Sequence, residues 1–296
     1  QYKYDDSDKL YYTEPIRSKI IAIFDADGKS INSTKDCKCA KIVVEKSPFY
    51  YESGGQESDG GYLWKNGTKF ELQSIQFQKN IIFHDVKCCS PSESLNVDDE
   101  VNLVVDDIKR SACIRNHSAT HILNSAIRKT MKLPIYQKSS SVSSDHLRIE
   151  IVMIGQKLND TDIEAIENLV KKNIKQDPKK LKIEILNSQQ LQSKNDIIMI
   201  PGEVYPEEGI RVVSFDGFSS ELCCGTHIFN TSELIDFTFG SVRSPGRISY
   251  IFHGLTGEAA IAAIEKGESL IKQLENLKNN VSAENLTEAL SSVRKI

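Results

Sequence analysis

Two histidines four residues apart are the first candidates for chemistry in this 296-residue sequence. They are His117 and His121, in the stretch RNHSATHILNSAIRKTMK, for which we predict a helix from Arg115 onward. Side chains four residues apart lie on one face of a helix, so the two imidazoles can converge on one point. A single histidine there is ordinarily structural, whereas a pair suggests metal ligands. The apolar positions that give the helical spacing are Ala119, Ile122, Leu123, Ala126 and Ile127.

A second pair with the same spacing, Cys223 and His227, lies in the stretch ELCCGTH. One thiolate and three imidazoles are an ordinary tetrahedral shell for zinc, so the two pairs together predict one shared zinc ion. The alternative is that the two motifs are unrelated packing features. The spacing selects Cys223 and leaves Cys224 as an extra thiol. A left-handed backbone at residue 224 would strain that side chain, whereas any other backbone would leave a spare soft ligand.

The glycine-rich stretch YYESGGQESDGGYL, residues 50–63, is the third candidate. Gly54 and Gly55 precede Gln56, and glycines permit left-handed turns and close approach of a ligand to the backbone. A plain hairpin turn is the alternative. The fingerprints of phosphate-binding loops do not match this stretch. A zinc metalloprotease is excluded as well, because Ser118 follows His117 where H-E-x-x-H requires glutamate.

The composition is that of a globular protein with a sizeable core, with 39% hydrophobic and 26% charged residues. The net charge of −4 argues against non-specific coating of nucleic acids. Seven cysteines, two pairs of them adjacent, fit a reducing compartment better than a secreted disulfide framework. No apolar run approaches the roughly 18–20 residues of a membrane helix, and the first residues do not read as a signal peptide. The chain does not begin with methionine, and we expect it to be a fragment or a processed product.

The predicted elements divide the chain into four segments, with residues 1–16 as a linker. Short segments rich in β-branched and aromatic residues over 17–108 predict a small antiparallel barrel or sandwich, and we adopt the β-barrel. Mixed strands and helices over 109–256 predict an α+β core, in which helices cover a mostly antiparallel sheet. Residues 257–296 predict a C-terminal helical hairpin, or alternatively the base of a longer oligomerising or tRNA-contacting arm. The predicted strands are 19–24, 40–46, 69–77, 80–86, 100–105, 147–152, 181–186, 211–215, 234–239 and 247–253, and a helix over 160–176 is capped by Asp160 or Thr161.

Taken together, RNHSATHIL, ELCCGTH and FYYESGGQESDGGYL resemble the editing region of eukaryotic-type alanyl-tRNA synthetases and the free-standing alanyl-tRNA editing proteins. LRIEI at 147–151 and GIRVVSF at 209–215 agree in order and spacing. The resemblance implies hydrolysis of tRNA(Ala) wrongly charged with serine or glycine. Attachment of alanine, with its ATP site, would then belong to a part upstream of this chain. The chain departs from the family pattern at Ser118, which stands for threonine, and at Ser139 and Cys224, which stand for glycine.

Residue roles follow from the same resemblance. His117, His121, Cys223 and His227 match the zinc ligands. Ser47 stands where threonine is usual and would recognise the hydroxyl of serine, and Gln56 would lie near the substrate, so both are assigned to catalysis. Weaker candidates for contact with the substrate or the tRNA are Gly54, Gly55, Arg148, Lys171, Lys172 and Lys175, although a solvated helix face is the alternative for the lysines. His84, His146 and His253 lie in or beside strand patterns, and we predict structural roles for them.

Two alternatives stay open at this stage. Four protein ligands fill a tetrahedral shell. The metal therefore either expands its coordination to hold water or the substrate, or only shapes the pocket while Gln56 and a tRNA hydroxyl position the water. The alternative function is a zinc-stabilised, catalytically degenerate tRNA-binding or assembly module of a divergent, organellar synthetase. The expected partner is tRNA(Ala) in the cytoplasm or the mitochondrial matrix, without a membrane, and with oligomerisation through the C-terminal region as an option.

Overall fold

A computed structural model describes residues 14–88, 93–194, 197–198 and 206–280, together with the backbone of residues 4–5 and 10–11. The second helix of the predicted C-terminal hairpin, from residue 282 onward, lies outside these residues. Two short strands near the start, β1 (Tyr4–Asp5) and β2 (Leu10–Tyr11), pair with each other in antiparallel fashion. Within the described residues, no helix combines the length and the apolar character needed to cross a membrane.

The first large unit is a closed antiparallel β-barrel of six strands. Its strands, with the short β4 beside them, are β3 (Ile16–Phe24), β4 (Ser30–Ile31), β5 (Cys39–Val44), β6 (Gly61–Lys65), β7 (Thr68–Gln78), β8 (Ile81–Lys87) and β9 (Glu100–Val105). The barrel strands follow the order β3-β5-β8-β7-β6-β9, and β9 pairs back with β3, which leaves no open edge between them. Alternate residues such as Ile20, Ile42, Leu63, Phe70 and Leu103 fill its interior.

The second unit is the α+β core that the sequence predicts. Its elements are α1 (Asp107–Met131), β10 (Ile135–Val142), β11 (Leu147–Met153), α2 (Asp160–Lys175), β12 (Leu181–Leu186), α3 (Ser188–Gln192), β13 (Ile210–Phe215), β14 (Ser219–Leu222), a 3₁₀ turn (Thr231–Leu234), β15 (Phe237–Arg243), β16 (Ser249–Thr256) and α4 (Gly257–Asn280). Strands β10, β11, β16 and β15 form one antiparallel sheet in that order, and β12, β13 and β14 form another. Both sheets contribute to one apolar cluster around the first two helices, which includes Ile122, Ile149, Ile166, Val213 and Phe252.

Helix α1 is the central element of the core and begins earlier than the pattern from Arg115 predicts. Its N-cap is Asp106, whose carboxylate accepts from the backbone N–H groups of Ile108 and Lys109. The helix ends where Lys132 adopts a left-handed conformation. All five apolar positions of the predicted stripe are fully buried, as expected. Because α1 contacts α2 and strands of both core sheets, its middle turns are buried on every side.

Helix α2 shows a correction to the predicted cap. The cap is Asn159, not Asp160 or Thr161, and it forms a capping box with Asp162. The side chain of Asn159 accepts from the backbone of Asp162, whose own side chain accepts from the backbone of Asn159. The predicted start of the helix at residue 160 is confirmed, and only the predicted cap lies one or two residues too late.

A buried ion pair ties the barrel to α1. Arg110 is fully buried and donates through Nε to Oδ1 of Asp59 at 2.8 Å and through Nη2 to Oδ2. The same Nη2 donates to the carbonyl of Pro48 at 2.9 Å, and the backbone N–H of Tyr50 donates to Asp59 at 2.6 Å. The glycine-rich loop between β5 and β6 is therefore anchored on α1 at both of its ends.

This anchor leads to a stability prediction. Asp59→Ala leaves the guanidinium of Arg110 buried without its carboxylate, and we expect a loss of about 3–5 kcal/mol in the free energy of unfolding. The control is Glu100→Ala, which breaks the largely exposed pair between Arg17 and Glu100 and should cost far less. Urea unfolding measures both losses. Equal losses would contradict the role of Asp59 as the partner that anchors the loop on α1.

Candidate metal centre

Helix α1 and the turn after β14 bring four metal-binding side chains together. The Nε2 atoms of His117 and His227 lie 3.2 Å and 3.3 Å from Sγ of Cys223, although His117 and Cys223 are 106 residues apart in sequence. His121 completes the cluster, and the four ligand atoms all lie within 4.8 Å of one another. One thiolate and three imidazoles at this spacing fit a metal ion, in agreement with the two sequence motifs.

The close approach of the turn to α1 depends on Gly225. A Cβ atom at this position would lie 2.0 Å from Cε1 and 2.3 Å from Nδ1 of His117. The turn is held from the other side by Arg211, whose Nη1 donates to the carbonyls of Cys223 at 2.7 Å and Gly225 at 2.9 Å. The motif GIRVVSF contains Arg211, but the sequence alone gives this residue no role, since nothing local relates it to the turn.

Burial shapes the proton affinities of the ligands. It holds the pKa of His117 and of His227 well below 6.5, and it lowers the pKa of His121 to about 3. Burial also raises the pKa of the Cys223 thiol to about 12. Because their pKa values are lowered, the imidazoles are neutral at neutral pH and offer lone pairs to a cation. The thiol keeps its proton at that pH and must lose it when a metal binds.

Glu221 is a largely buried carboxylate next to the cluster, and no sequence pattern indicates its role. Its Oε2 lies 3.9 Å from Nδ1 of His121, and its Oε1 accepts from Asn124 at 3.2 Å and from Ser219 at 3.1 Å. Burial raises the pKa of Glu221 to about 7. A carboxylate behind a ligating histidine is a usual outer partner in metal sites.

Cys224 is more exposed than Cys223. Its backbone is not left-handed and its side chain is exposed, so the strain considered for this position does not arise. The four-donor cluster does not include Cys224.

Two family profiles and two curated relatives show which known proteins this chain is similar to. Residues 1–109 match the family profile described as tRNA synthetases class II (A), and residues 210–246 match the profile of the threonyl and alanyl tRNA synthetase second additional domain. The mitochondrial alanine–tRNA ligase of Drosophila melanogaster is 32% identical over 309 residues, covering 97% of this chain and 30% of the relative. The alanine–tRNA ligase of Neisseria meningitidis serogroup B is 32% identical over 277 residues, covering 93% of this chain and 31% of the relative.

The chain belongs to the alanyl-tRNA synthetase family. It spans about 30% of the length of the Drosophila relative and about 31% of the Neisseria relative. The second matched region contains β13, β14 and the turn with Cys223 and His227. The two α1 histidines lie between the two matched regions, so the structure supplies the link between the halves of the cluster.

The other candidates of this synthetase-family chain lie at several places. Gln56 is fully buried beside His117, and Gly55 contacts β10, where an added Cβ would lie 2.5 Å from the carbonyl of Ser140. Arg148, on β11, donates to Ser139 and Glu150.

On α2, Lys172 is exposed, while Lys171 pairs with Glu167 and Lys175 with Asp236. Gly54 has a left-handed backbone with open space around it. The tRNA contacts assigned to these residues stay predictions.

Ser47 is joined to a histidine that we expected to be merely structural. Nδ1 of His84 lies 3.0 Å from the carbonyl of Ile42 and must donate to it, so Nε2 is an acceptor for the Ser47 hydroxyl at 2.8 Å. Burial lowers the pKa of His84 from 6.5 to about 4, against smaller opposing effects of the Ile42 carbonyl and Asp85. The Ser47 hydroxyl therefore has a fixed donor direction at neutral pH.

Metal binding should depend on Gly225. We expect Gly225→Ala to lose at least about tenfold in zinc affinity, because the new methyl group displaces the ring of His117. Gly246→Ala is the matched control, since a Cβ there meets nothing within 4 Å and the backbone is not left-handed. Zinc content after dialysis against a weak chelator measures both variants. Full zinc content in Gly225→Ala would show that the turn does not need glycine.

The pKa of His84 predicts part of the acid sensitivity of the fold. On this histidine, the unfolded chain takes up a proton near pH 6.5 and the folded chain only near pH 4. The free energy of unfolding is therefore unaffected by His84 above pH 6.5, and it decreases as the pH falls toward 4. We expect this residue alone to account for a fall of about 3 kcal/mol in the free energy of unfolding. His84→Gln should flatten that part of the profile in urea unfolding at a series of pH values. Identical profiles for the two proteins would refute the assignment.

Proposed function

We propose that this chain is the editing part of an alanyl-tRNA synthetase, which hydrolyses the ester bond of Ser-tRNA(Ala) and Gly-tRNA(Ala). The observation that carries the proposal is the cluster of His117, His121, Cys223 and His227, with its ligand atoms within 4.8 Å of one another. The match of residues 210–246 to the threonyl and alanyl tRNA synthetase second additional domain supports it.

The proposed reaction answers a physical limit on amino acid selection. A pocket that accepts alanine can exclude glycine or serine only weakly, because one methylene or hydroxyl group changes binding by about 1–3 kcal/mol. A second, hydrolytic site supplies the missing discrimination. We propose Ala-tRNA(Ala) as the product that this site must spare.

We propose zinc as the metal, held by the one thiolate and three imidazoles of the cluster. When bound, it would supply a Lewis acid that polarises an ester carbonyl or acidifies a water molecule. Its four protein ligands position the helix and the turn against each other. ATP is assigned only to the alanine-attaching part of the synthetase, outside this chain.

Ser47 is proposed as the residue that recognises serine. Because its hydroxyl donates to Nε2 of His84 at 2.8 Å, the Ser47 oxygen acts as an acceptor toward its other partners, as it does for the backbone N–H of Phe49 at 3.3 Å. Such an acceptor fits the side-chain hydroxyl of a seryl ester. Alanine offers no side-chain donor, so it would gain nothing from this contact.

The proposed partner is tRNA(Ala), with Arg148, Gly54, Gly55 and the exposed Lys172 as candidate contacts. Lys171 and Lys175 would have to exchange Glu167 and Asp236 for phosphate to take part. We place the protein in the cytoplasm or the mitochondrial matrix, with support from the relative named as mitochondrial. Oligomerisation through the C-terminal region remains part of the proposal.

A second candidate function is a zinc-stabilised module that binds tRNA or supports assembly without hydrolysis. It is favoured by the number of protein ligands, since four already complete the tetrahedral shell that is typical of structural zinc. The two functions differ in one measurable quantity, the rate of deacylation.

Deacylation of Ser-tRNA(Ala) by the zinc-loaded protein tests the proposal. We expect Cys223→Ala to lower the rate at least roughly a hundredfold, because the metal-bound site loses a ligand. Cys224→Ala should keep the rate, since its exposed side chain lies outside the four-donor cluster. Ala-tRNA(Ala) serves as the substrate control. A background rate for the unmodified protein would overturn the editing function and leave the zinc-stabilised module.

A further inference from the structure

The side chain of Gln56 is enclosed between three parts of the fold. It is fully buried, and its Oε1 lies 2.7 Å from Nδ1 of His117 on α1. The same atom lies 3.0 Å from the hydroxyl oxygen and 3.3 Å from the backbone nitrogen of Thr226, which belongs to the ligand turn. Gln56 itself comes from the loop between β5 and β6 of the barrel.

These contacts determine the tautomer of His117. A backbone N–H can only donate, so the atom of Gln56 that faces Thr226 must be the amide oxygen. Nδ1 of His117 faces the same oxygen and must therefore carry the proton. The lone pair of the ring is then on Nε2, the atom that lies 3.2 Å from Sγ of Cys223.

His227 is oriented in the same way by Ser118. The Ser118 hydroxyl donates to the carbonyl of Ile114 at 2.9 Å, so its oxygen accepts from Nδ1 of His227 at 3.2 Å and from the backbone of Ile228 at 3.0 Å. The lone pair of His227 is again on Nε2, which lies 3.3 Å from Cys223. Two ligands thus share one arrangement, with a polar partner behind each ring.

The loop holds Gln56 at a defined position. Backbone hydrogen bonds join it to Val142 on both sides, from the N–H of Val142 to the carbonyl of Gly55 at 2.7 Å and from the N–H of Glu57 to the carbonyl of Val142 at 2.9 Å. The amide nitrogen of Gln56 is buried and has no hydrogen-bond partner among the described residues. The hydrogen bonds of this side chain are therefore made by its oxygen.

We propose that Gln56 is a positioning residue of the metal centre, which fixes His117 as the Nδ1–H tautomer, and not a residue that touches the substrate. Its full burial leaves no surface for a substrate, and partners behind ligating histidines raise metal affinity. This inference rests on the metal-binding part of the proposed function. It makes the barrel a contributor to the metal centre, although all four ligands belong to the core.

Zinc affinity, measured by competition with a chromophoric chelator, tests the proposal without reference to catalysis. We expect Gln56→Met to bind zinc about 10–100-fold more weakly, because it keeps the length of the side chain and removes the acceptor. Gln56→Glu should match or exceed the unmodified protein, since a carboxylate is a stronger acceptor for the N–H of a ligating histidine. Gln76→Met is the matched control, because the hydrogen bonds of Gln76 join it to Lys41, Gln78 and Asp85 in the barrel.

Ser118 gives an independent pair of variants. Ser118→Ala should weaken zinc binding in the same range, whereas Ser118→Thr retains the hydroxyl and should keep the affinity. The visible spectrum of the cobalt-substituted proteins reports the ligand geometry directly. We expect Gln56→Met to alter this spectrum and Gln76→Met to leave it unchanged.

Each outcome decides a separate point. Unchanged zinc affinity in Gln56→Met, together with lost deacylation, would overturn the proposal and place Gln56 against the substrate. If circular dichroism shows that Gln56→Met does not fold, Gln56→Glu decides, and a tenfold or larger loss of its zinc affinity overturns the proposal. An unmodified protein that binds zinc but does not deacylate Ser-tRNA(Ala) would refute the editing function alone. The affinity comparison would then still hold.

Discussion

Burying three imidazoles around one partly buried thiol is the constraint on which the rest of this structure depends. Each imidazole has two polar nitrogens, and only one of them can face a shared metal. The other must find a partner inside the protein, because an unpaired buried polar group is costly. Gln56 meets that need for His117 and Ser118 meets it for His227. Nδ1 of His121 is buried without a hydrogen-bond partner among the described residues, and Oε2 of Glu221 lies 3.9 Å from it. The ligands are therefore only the inner half of the site.

This constraint explains why two separate units must be packed tightly together. The ligands come from the α+β core, but the partner of His117 comes from a barrel loop. The buried pair of Asp59 and Arg110 ties that loop to α1, and Gly55 lets the loop approach the backbone of β10. A shift of the barrel relative to α1 would thus change the orientation of a ligand that the barrel does not contain. In the closed six-stranded barrel, β5 and β6, the strands that flank this loop, each pair with a neighbour on both sides.

Local sequence patterns predicted the inner half of the site and not the outer half. The spacing of His117 and His121 indicated one helical face, and the same spacing in the turn selected Cys223 and His227. The barrel and the α+β class also followed from alternation and helical periodicity. Strand β6 (Gly61–Lys65) was missed, because its sequence begins inside the glycine-rich stretch and shows little alternation. The roles of Arg211, Thr226 and Glu221 were missed as well, since each depends on contacts formed only after the two sheets pack against α1.

The departures from the family pattern near the cluster are compatible with a working metal site. Ser118 replaces threonine but keeps the hydroxyl, and that hydroxyl is the group that accepts from His227 at 3.2 Å. Cys224 replaces glycine at a position whose backbone is not left-handed, so a side chain can be accommodated there without backbone strain. The position where only glycine fits is the next one, Gly225, because the ring of His117 occupies the space of its missing side chain. The substitutions thus fall where the geometry tolerates them, and the requirement for glycine is met where the ring and the turn come into contact.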